Sequence, residues 1–129
     1  MVAVLVHYEA LYRLSKLMPN LVMPHRYRVL AAVFGTLCAH VIEVWLFGFG
    51  YYFVIESLSL GTLMGNFDRS LMDCIYFSFT TYTSLGFGDI HPQGSIRFLA
   101  GLEALTGLVL ISWTASFLFI EMQKFWPKK

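Results

Sequence analysis

Apolar residues gather in two long blocks, at residues 29–55 and 96–120, each interrupted by few charges. A helix rises about 1.5 Å per residue, so roughly 20 apolar residues cross the hydrocarbon core of a bilayer. Both blocks exceed that length and predict two membrane-crossing helices. Residues 2–18 carry a different pattern. Val4, Tyr8, Leu11, Leu14 and Met18 recur on one helical face, while Glu9, Arg13 and Lys16 share another. Glu9 and Arg13 are placed for an i, i+4 ion pair. A helix this charged fits the membrane interface better than its interior. Pro19-Asn20 ends it, and Pro24 marks a second break. Between the two blocks, the linker at 57–69 contains Gly61, Gly65 and Asn66, as a loop should. Asp68 or Ser70 can cap a helix starting near Leu71. That helix ends near Thr81 or Tyr82, too short to cross, so it predicts a re-entrant half-helix followed by extended chain.

Composition agrees with a membrane protein. The 129-residue chain is 57% hydrophobic and only 13% charged, which excludes an ordinary soluble domain. Charge sets an orientation. Arg13, Lys16, Arg26 and Arg28 precede the first block, and Lys124, Lys128 and Lys129 follow the second. Between the blocks lie Asp68, Arg69, Asp73 and Asp89. The positive-inside rule then puts both termini in the cytoplasm. The net charge of +1 hides this asymmetry and gives no reason to expect nucleic acid. The N-terminus lacks the small-residue cleavage pattern of a signal peptide. Cys38 and Cys74 read as small buried hydrophobes rather than a disulfide.

The run Thr83-Ser84-Leu85-Gly86-Phe87-Gly88-Asp89 carries the chemistry. A dehydrated cation needs closely spaced oxygens in place of its water shell. Successive backbone carbonyls supply them if they aim at one axis. That requires alternating backbone conformations, some with φ > 0, which glycine reaches without a Cβ clash. Gly86 and Gly88 stand two apart, as such a segment needs. Ser84 adds a hydroxyl at the inner end. Flanked as it is, the segment Asp73-Cys74-Ile75-Tyr76-Phe77-Ser78-Phe79-Thr80-Thr81-Tyr82-Thr83-Ser84-Leu85-Gly86-Phe87-Gly88-Asp89-Ile90-His91-Pro92 resembles the pore helix, filter and outer mouth of potassium channels. Its Gly-Phe-Gly-Asp form is similar to filters of two-pore-domain and small bacterial channels. The resemblance is specific over residues 73–92 and architectural over about 29–122. Two positions depart from the pattern. Ser84 stands where a threonine is usual, and Phe87 where a tyrosine is usual. Both bear on filter rigidity; neither removes a main-chain ligand.

The resemblance implies an all-α membrane protein: two transmembrane helices flanking a re-entrant pore helix and filter, with an N-terminal interfacial helix. The expected divisions are an amphipathic helix at 1–20 and a pore domain at 21–129. Within the latter fall an outer helix at 29–55, a pore helix at 70–82, a filter at 83–89 and an inner helix at 96–122. Backbone carbonyls of Ser84, Leu85, Gly86, Phe87 and Gly88 would bind the ion, with K+ at Ser84, Leu85, Gly86 and Phe87. Thr80, Thr81, Thr83, Tyr76 and Asp89 would support the filter, Tyr76 by a hydrogen bond to Asp89. Thr80 occupies a place where some channels carry a glutamate. One pore loop and no internal repeat imply a homotetramer in membrane lipid, with no cofactor besides the permeant K+ and no small-molecule substrate. The expected location is the inner membrane of a prokaryote. The expected activity is potassium-selective conduction. The alternatives are a weakly selective cation channel and a non-conducting subunit of channel-like architecture. An enzyme is not expected, since no nucleophile–base pair or complete metal set is visible.

Ionisable residues lie deep inside the apolar blocks. His40 and Glu43 share a helical face three residues apart, and Glu103 lies in the second block. Such residues cost about 2.5–3.5 kcal/mol on insertion scales and are functional candidates. His40 and Glu43 read either as a pH-sensitive pair or as a satisfied structural one; two ligands are too few for a metal. Glu103 is expected to face the pore helix or bond hydroxyls behind the filter. Gly107 is a candidate gating hinge, or a close-packing position in Ala104-x-x-Gly107. Trp126, Tyr51 and Tyr52 read as interface-belt residues, and Trp45 and Trp113 as packing residues.

Overall fold

The computed structural model describes residues 1–20 and 22–125. In chain order these form α1 (Val2–Leu17), a 3₁₀ turn (Met18–Asn20), α2 (His25–Phe53), a π-helical turn (Val54–Leu58), β1 (Gly61–Gly65), α3 (Leu71–Tyr82), β2 (Ile90–Gly94) and α4 (Ile96–Phe125). Helices α2 and α4 hold 29 and 30 residues and are long and apolar enough to cross a membrane. The all-α architecture therefore agrees with the hydrophobic pattern. Trp126, Lys128 and Lys129, placed above at the inner interface or its cationic flank, lie outside the described residues.

The chain forms two compact units, one of Met1–Glu43 with Leu110–Lys129 and one of Val44–Val109. In the first, α1 buries Ala3, His7 and Leu11, and Met18 is buried just beyond. The buried face is thus rotated from the expected apolar stripe. Val4 and Tyr8 are exposed, and a histidine stands in the buried line. Leu14 packs against Gly35, where an added Cβ would lie 2.9 Å from Leu14 Cδ1. Arg13 Nε donates to Glu9 Oε1 at 2.7 Å on the exposed face, a pair of small energetic weight.

The second unit holds the re-entrant segment. Ser70 caps α3, accepting the Asp73 N–H at 3.0 Å. Asp73 in turn accepts the Asp68 N–H at 2.9 Å. The surrounding linkers are not simple loops. β1 and β2 pair antiparallel, Gly61 opposite Gly94 and Gly65 opposite Ile90. Asn66 N–H also donates to the Asp89 carbonyl at 2.9 Å. This small sheet clasps the two ends of the segment that contains α3. Beneath it, Tyr51, Ile55, Leu63, Cys74, Phe77, Ile90, Ile96 and Ala100 form a buried cluster. The Tyr51 and Phe77 rings meet edge-on at 5.0 Å. Cys74 is a buried free thiol and Cys38 an exposed one.

At Gly107, α4 approaches the backbone of α3 closely. A Cβ there would overlap the Tyr82 carbonyl oxygen and lie 2.9 Å from its carbon. The overlapped atoms are backbone and cannot swing away. A Cβ on Gly101 would meet nothing within 4 Å. Helix α4 continues as α-helix through both positions. Overpacking of this kind costs about 1–3 kcal/mol. Thermal melting of the purified protein in detergent should show Gly107→Ala destabilised by that order, with Gly101→Ala unchanged or slightly stabilised.

Candidate ion-conduction site

The site begins where α3 stops. Thr83 closes the helix, its N–H directed at the Phe79 and Thr81 carbonyls and its Oγ1 donating to the Phe79 carbonyl at 2.7 Å. Thr80 is buried and donates to the Phe77 carbonyl at 2.9 Å. Ser84 N–H reaches the Thr81 carbonyl at 3.0 Å, and Gly86 N–H the Thr80 carbonyl at 3.1 Å. The carbonyls of Thr80 and Thr81 thereby anchor the inner end of the following segment to the helix end.

Beyond that anchor the backbone alternates in hand. Ser84, Gly86 and Gly88 have φ of +57°, +52° and +80°, while Leu85 and Phe87 stay at negative φ. Alternation of this kind turns successive peptide planes so that neighbouring carbonyls face one side. Glycine takes two of the three positive-φ positions without a steric penalty. Ser84 takes the third with a Cβ, a conformation uncommon for such a residue. The segment is exposed throughout the chain, with Leu85 and Phe87 at 59% and 67%. At its far end Tyr76 Oη donates to Asp89 Oδ2 at 2.9 Å. That bond pushes the Tyr76 phenol above its ordinary pKa. Thr81 is half-buried, and its carbonyl accepts the Ser84 N–H.

Behind the segment lies a buried polar hub. Glu103 is fully buried on α4. Its carboxylate accepts from the Tyr51 hydroxyl of α2 and the Ser78 hydroxyl of α3. Ser78 Oγ also lies 2.8 Å from the Val44 carbonyl. One carboxylate therefore ties three helices of this unit together. Tyr51 is not the interface-belt residue expected of a tyrosine pair. It is fully buried, and only Tyr52 is exposed. The partner hydroxyl on α3 is that of Ser78, a residue the sequence reading left unassigned.

His40 and Glu43 lie in the other unit and are also not isolated. His40 Nδ1 is 3.1 Å from Glu43 Oε2, and His7 Nδ1 is 2.8 Å from Glu43 Oε1. Thr114 Oγ1 is 2.9 Å from His40 Nε2 and 3.4 Å from His7 Nε2. His7 and Glu43 are fully buried. His7 was missed because the pattern of α1 was read from its larger apolar residues. The available signal was its place in the Ala3, His7, Leu11 line, four residues apart. Trp113, expected to pack, is partly exposed, with its ring 5.3 Å from that of His7. Trp45 is likewise partly exposed.

A family model described as "Ion channel" matches residues 27–124, which include α3 and the alternating segment. The chain belongs to this ion-channel family. It is an integral membrane protein and not an enzyme, in keeping with the resemblance of its central segment to potassium-channel pore domains. Two-pore potassium channel 1 of Arabidopsis thaliana is 31% identical to it over 98 residues, covering 75% of this chain and 22% of the relative. The chain thus spans about a fifth of that relative's length. No solved structure matches the chain significantly. The family match leaves out the whole of α1, including His7.

Removing one donor from a buried carboxylate costs about 1–3 kcal/mol. Tyr51→Phe and Ser78→Ala should each lower the melting temperature of this channel protein clearly. Tyr76→Phe, at an exposed bond, should leave melting nearly unchanged and instead speed the decay of any ionic current during sustained recording.

Proposed function

We propose that this ion channel selects potassium and works as a homotetramer. The observation that carries the reading is the alternating backbone of residues 84–88 directly after the C-terminus of α3. Carbonyls of Ser84, Leu85, Gly86, Phe87 and Gly88, repeated in four chains around one axis, replace the water shell of the ion. The Ser84 hydroxyl adds the innermost ring. Conduction proceeds by repulsion between ions on adjacent sites. The C-terminal end of α3 turns its partial negative charge toward the ion before it enters. Tyr76 and Asp89 brace the outer mouth. Thr80, Thr81 and Thr83 hold the inner end.

Three considerations support this reading. Each chain has a single segment of this kind, and a ring of oxygens needs several. Non-helical backbone at membrane depth must be buried in protein or line water, and four chains around an axis provide both. The Arabidopsis relative is named a potassium channel. Both termini lie in the cytoplasm, on the charge asymmetry given above, and the membrane is the inner membrane of a prokaryote. Gly107, below the filter on α4, is the candidate hinge for opening.

Rubidium uptake into proteoliposomes tests the proposal. Gly88→Ala places a side chain at φ +80° and should abolish uptake while leaving the oligomer intact by cross-linking. Wild-type vesicles should concentrate rubidium against a potassium gradient. Equal uptake by wild type and Gly88→Ala would contradict the proposed path.

A further inference from the structure

The four contacts among His7, His40, Glu43 and Thr114 close a ring. Glu43 offers one carboxylate oxygen to each imidazole at 2.8 and 3.1 Å. Thr114 Oγ1 faces the opposite nitrogen of each at 2.9 and 3.4 Å. Two neutral imidazoles and one hydroxyl bring three protons to these four contacts. With both protons on Nδ1, the two Nε2 lone pairs compete for one hydroxyl hydrogen. A cation shared by the carboxylate and the two Nδ1 atoms would move both protons to Nε2 and end that competition.

We infer that His7, His40 and Glu43 form a binding site for a divalent transition-metal ion of the zinc type, with Thr114 orienting both imidazoles. One ligand atom from each of the three residues lies within 4.8 Å of the others. Zinc bonds of about 2.0–2.1 Å in tetrahedral geometry set neighbouring ligands roughly 3.3 Å apart. The observed contacts of 2.8 and 3.1 Å, one on each carboxylate oxygen, lie within about half an ångström of that spacing. Two imidazoles and one carboxylate match the borderline character of zinc and leave a fourth position for solvent or another donor.

The metal also resolves the proton count. Each Nδ1 gives its lone pair to the ion, so each proton resides on Nε2. Both Nε2–H groups then donate to Thr114 Oγ1, whose two lone pairs accept both. The arrangement reproduces the usual outer support of a metal-bound histidine. The ion would fasten α1 to α2, and through Thr114 to α4, within one unit of the chain. His7 lies outside the residues matched by the family model, whereas His40, Glu43 and Thr114 lie inside them.

Cobalt(II) is the probe, because its visible d–d absorption reports ligand number and type. The full chain, purified in detergent and stripped with chelator, is titrated with CoCl2. The expected result is a saturable, intense d–d band at one ion per chain, displaced by Zn2+. Zinc should also raise the thermal midpoint of the wild type, since a ligand that binds only the folded state stabilises it. Thr114→Val should keep the band and weaken affinity about 10–100-fold. His7→Asn and Glu43→Gln should each lose it. Wild-type protein with no saturable band would overturn the site and leave the ring holding a proton instead. So would a band that survives in the His7→Asn/Glu43→Gln double variant, or one with the charge-transfer absorption of a cysteine ligand.

Discussion

Backbone that leaves helical geometry inside a membrane must have its polar groups answered, and this constraint organises the chain. Residues 84–88 lie between two helices long enough to cross, yet their alternating conformation forms no helix of its own. The inner end is answered locally, by the Thr80 and Thr81 carbonyls that receive the Gly86 and Ser84 N–H groups. The remaining carbonyls, in the proposed tetramer, face the axis and the ions. In that proposal, polarity that would destabilise a folded membrane segment becomes the ligand set.

Such a segment needs a stiff frame, and the frame is polar as well as apolar. Glu103 draws hydroxyls from α2 and α3 onto α4, so the three helices of the unit share one buried hub. The β1–β2 pair closes the two ends of the segment that contains α3. Gly107 lets α4 approach the Tyr82 carbonyl, where any side chain would force them apart. The other unit repeats the device with a second carboxylate, Glu43, answered by two histidines rather than two hydroxyls. Both carboxylates lie in spanning helices, and both gather partners from other elements.

Much of this was legible in the sequence. The two spans follow from length and apolarity, and Ser70 was one of the two caps, with Asp68, that local chemistry offered. The glycine spacing foretold positive φ at residues 86 and 88, though not at Ser84. The β1–β2 pair was not legible. Gly61, Gly65, Pro92 and Gly94 argue against strands locally, and the partners are far apart in sequence. Tyr51 and Tyr52 look alike in sequence, and only packing reveals that one of them bonds Glu103. His7 was hidden for a similar reason. Helix α1 offers two candidate faces, and the choice between them depends on what α2 and α4 present to it.

The most direct measurement is the bi-ionic reversal potential of the purified protein in a planar bilayer, with potassium on one side and sodium on the other. The account predicts a value close to the potassium limit, because carbonyl rings at fixed spacing replace the hydration of potassium better than that of sodium. A reversal potential near zero with robust current would contradict it, and would mean that the segment around Ser84 and Phe87 does not hold its carbonyls as a selective ring.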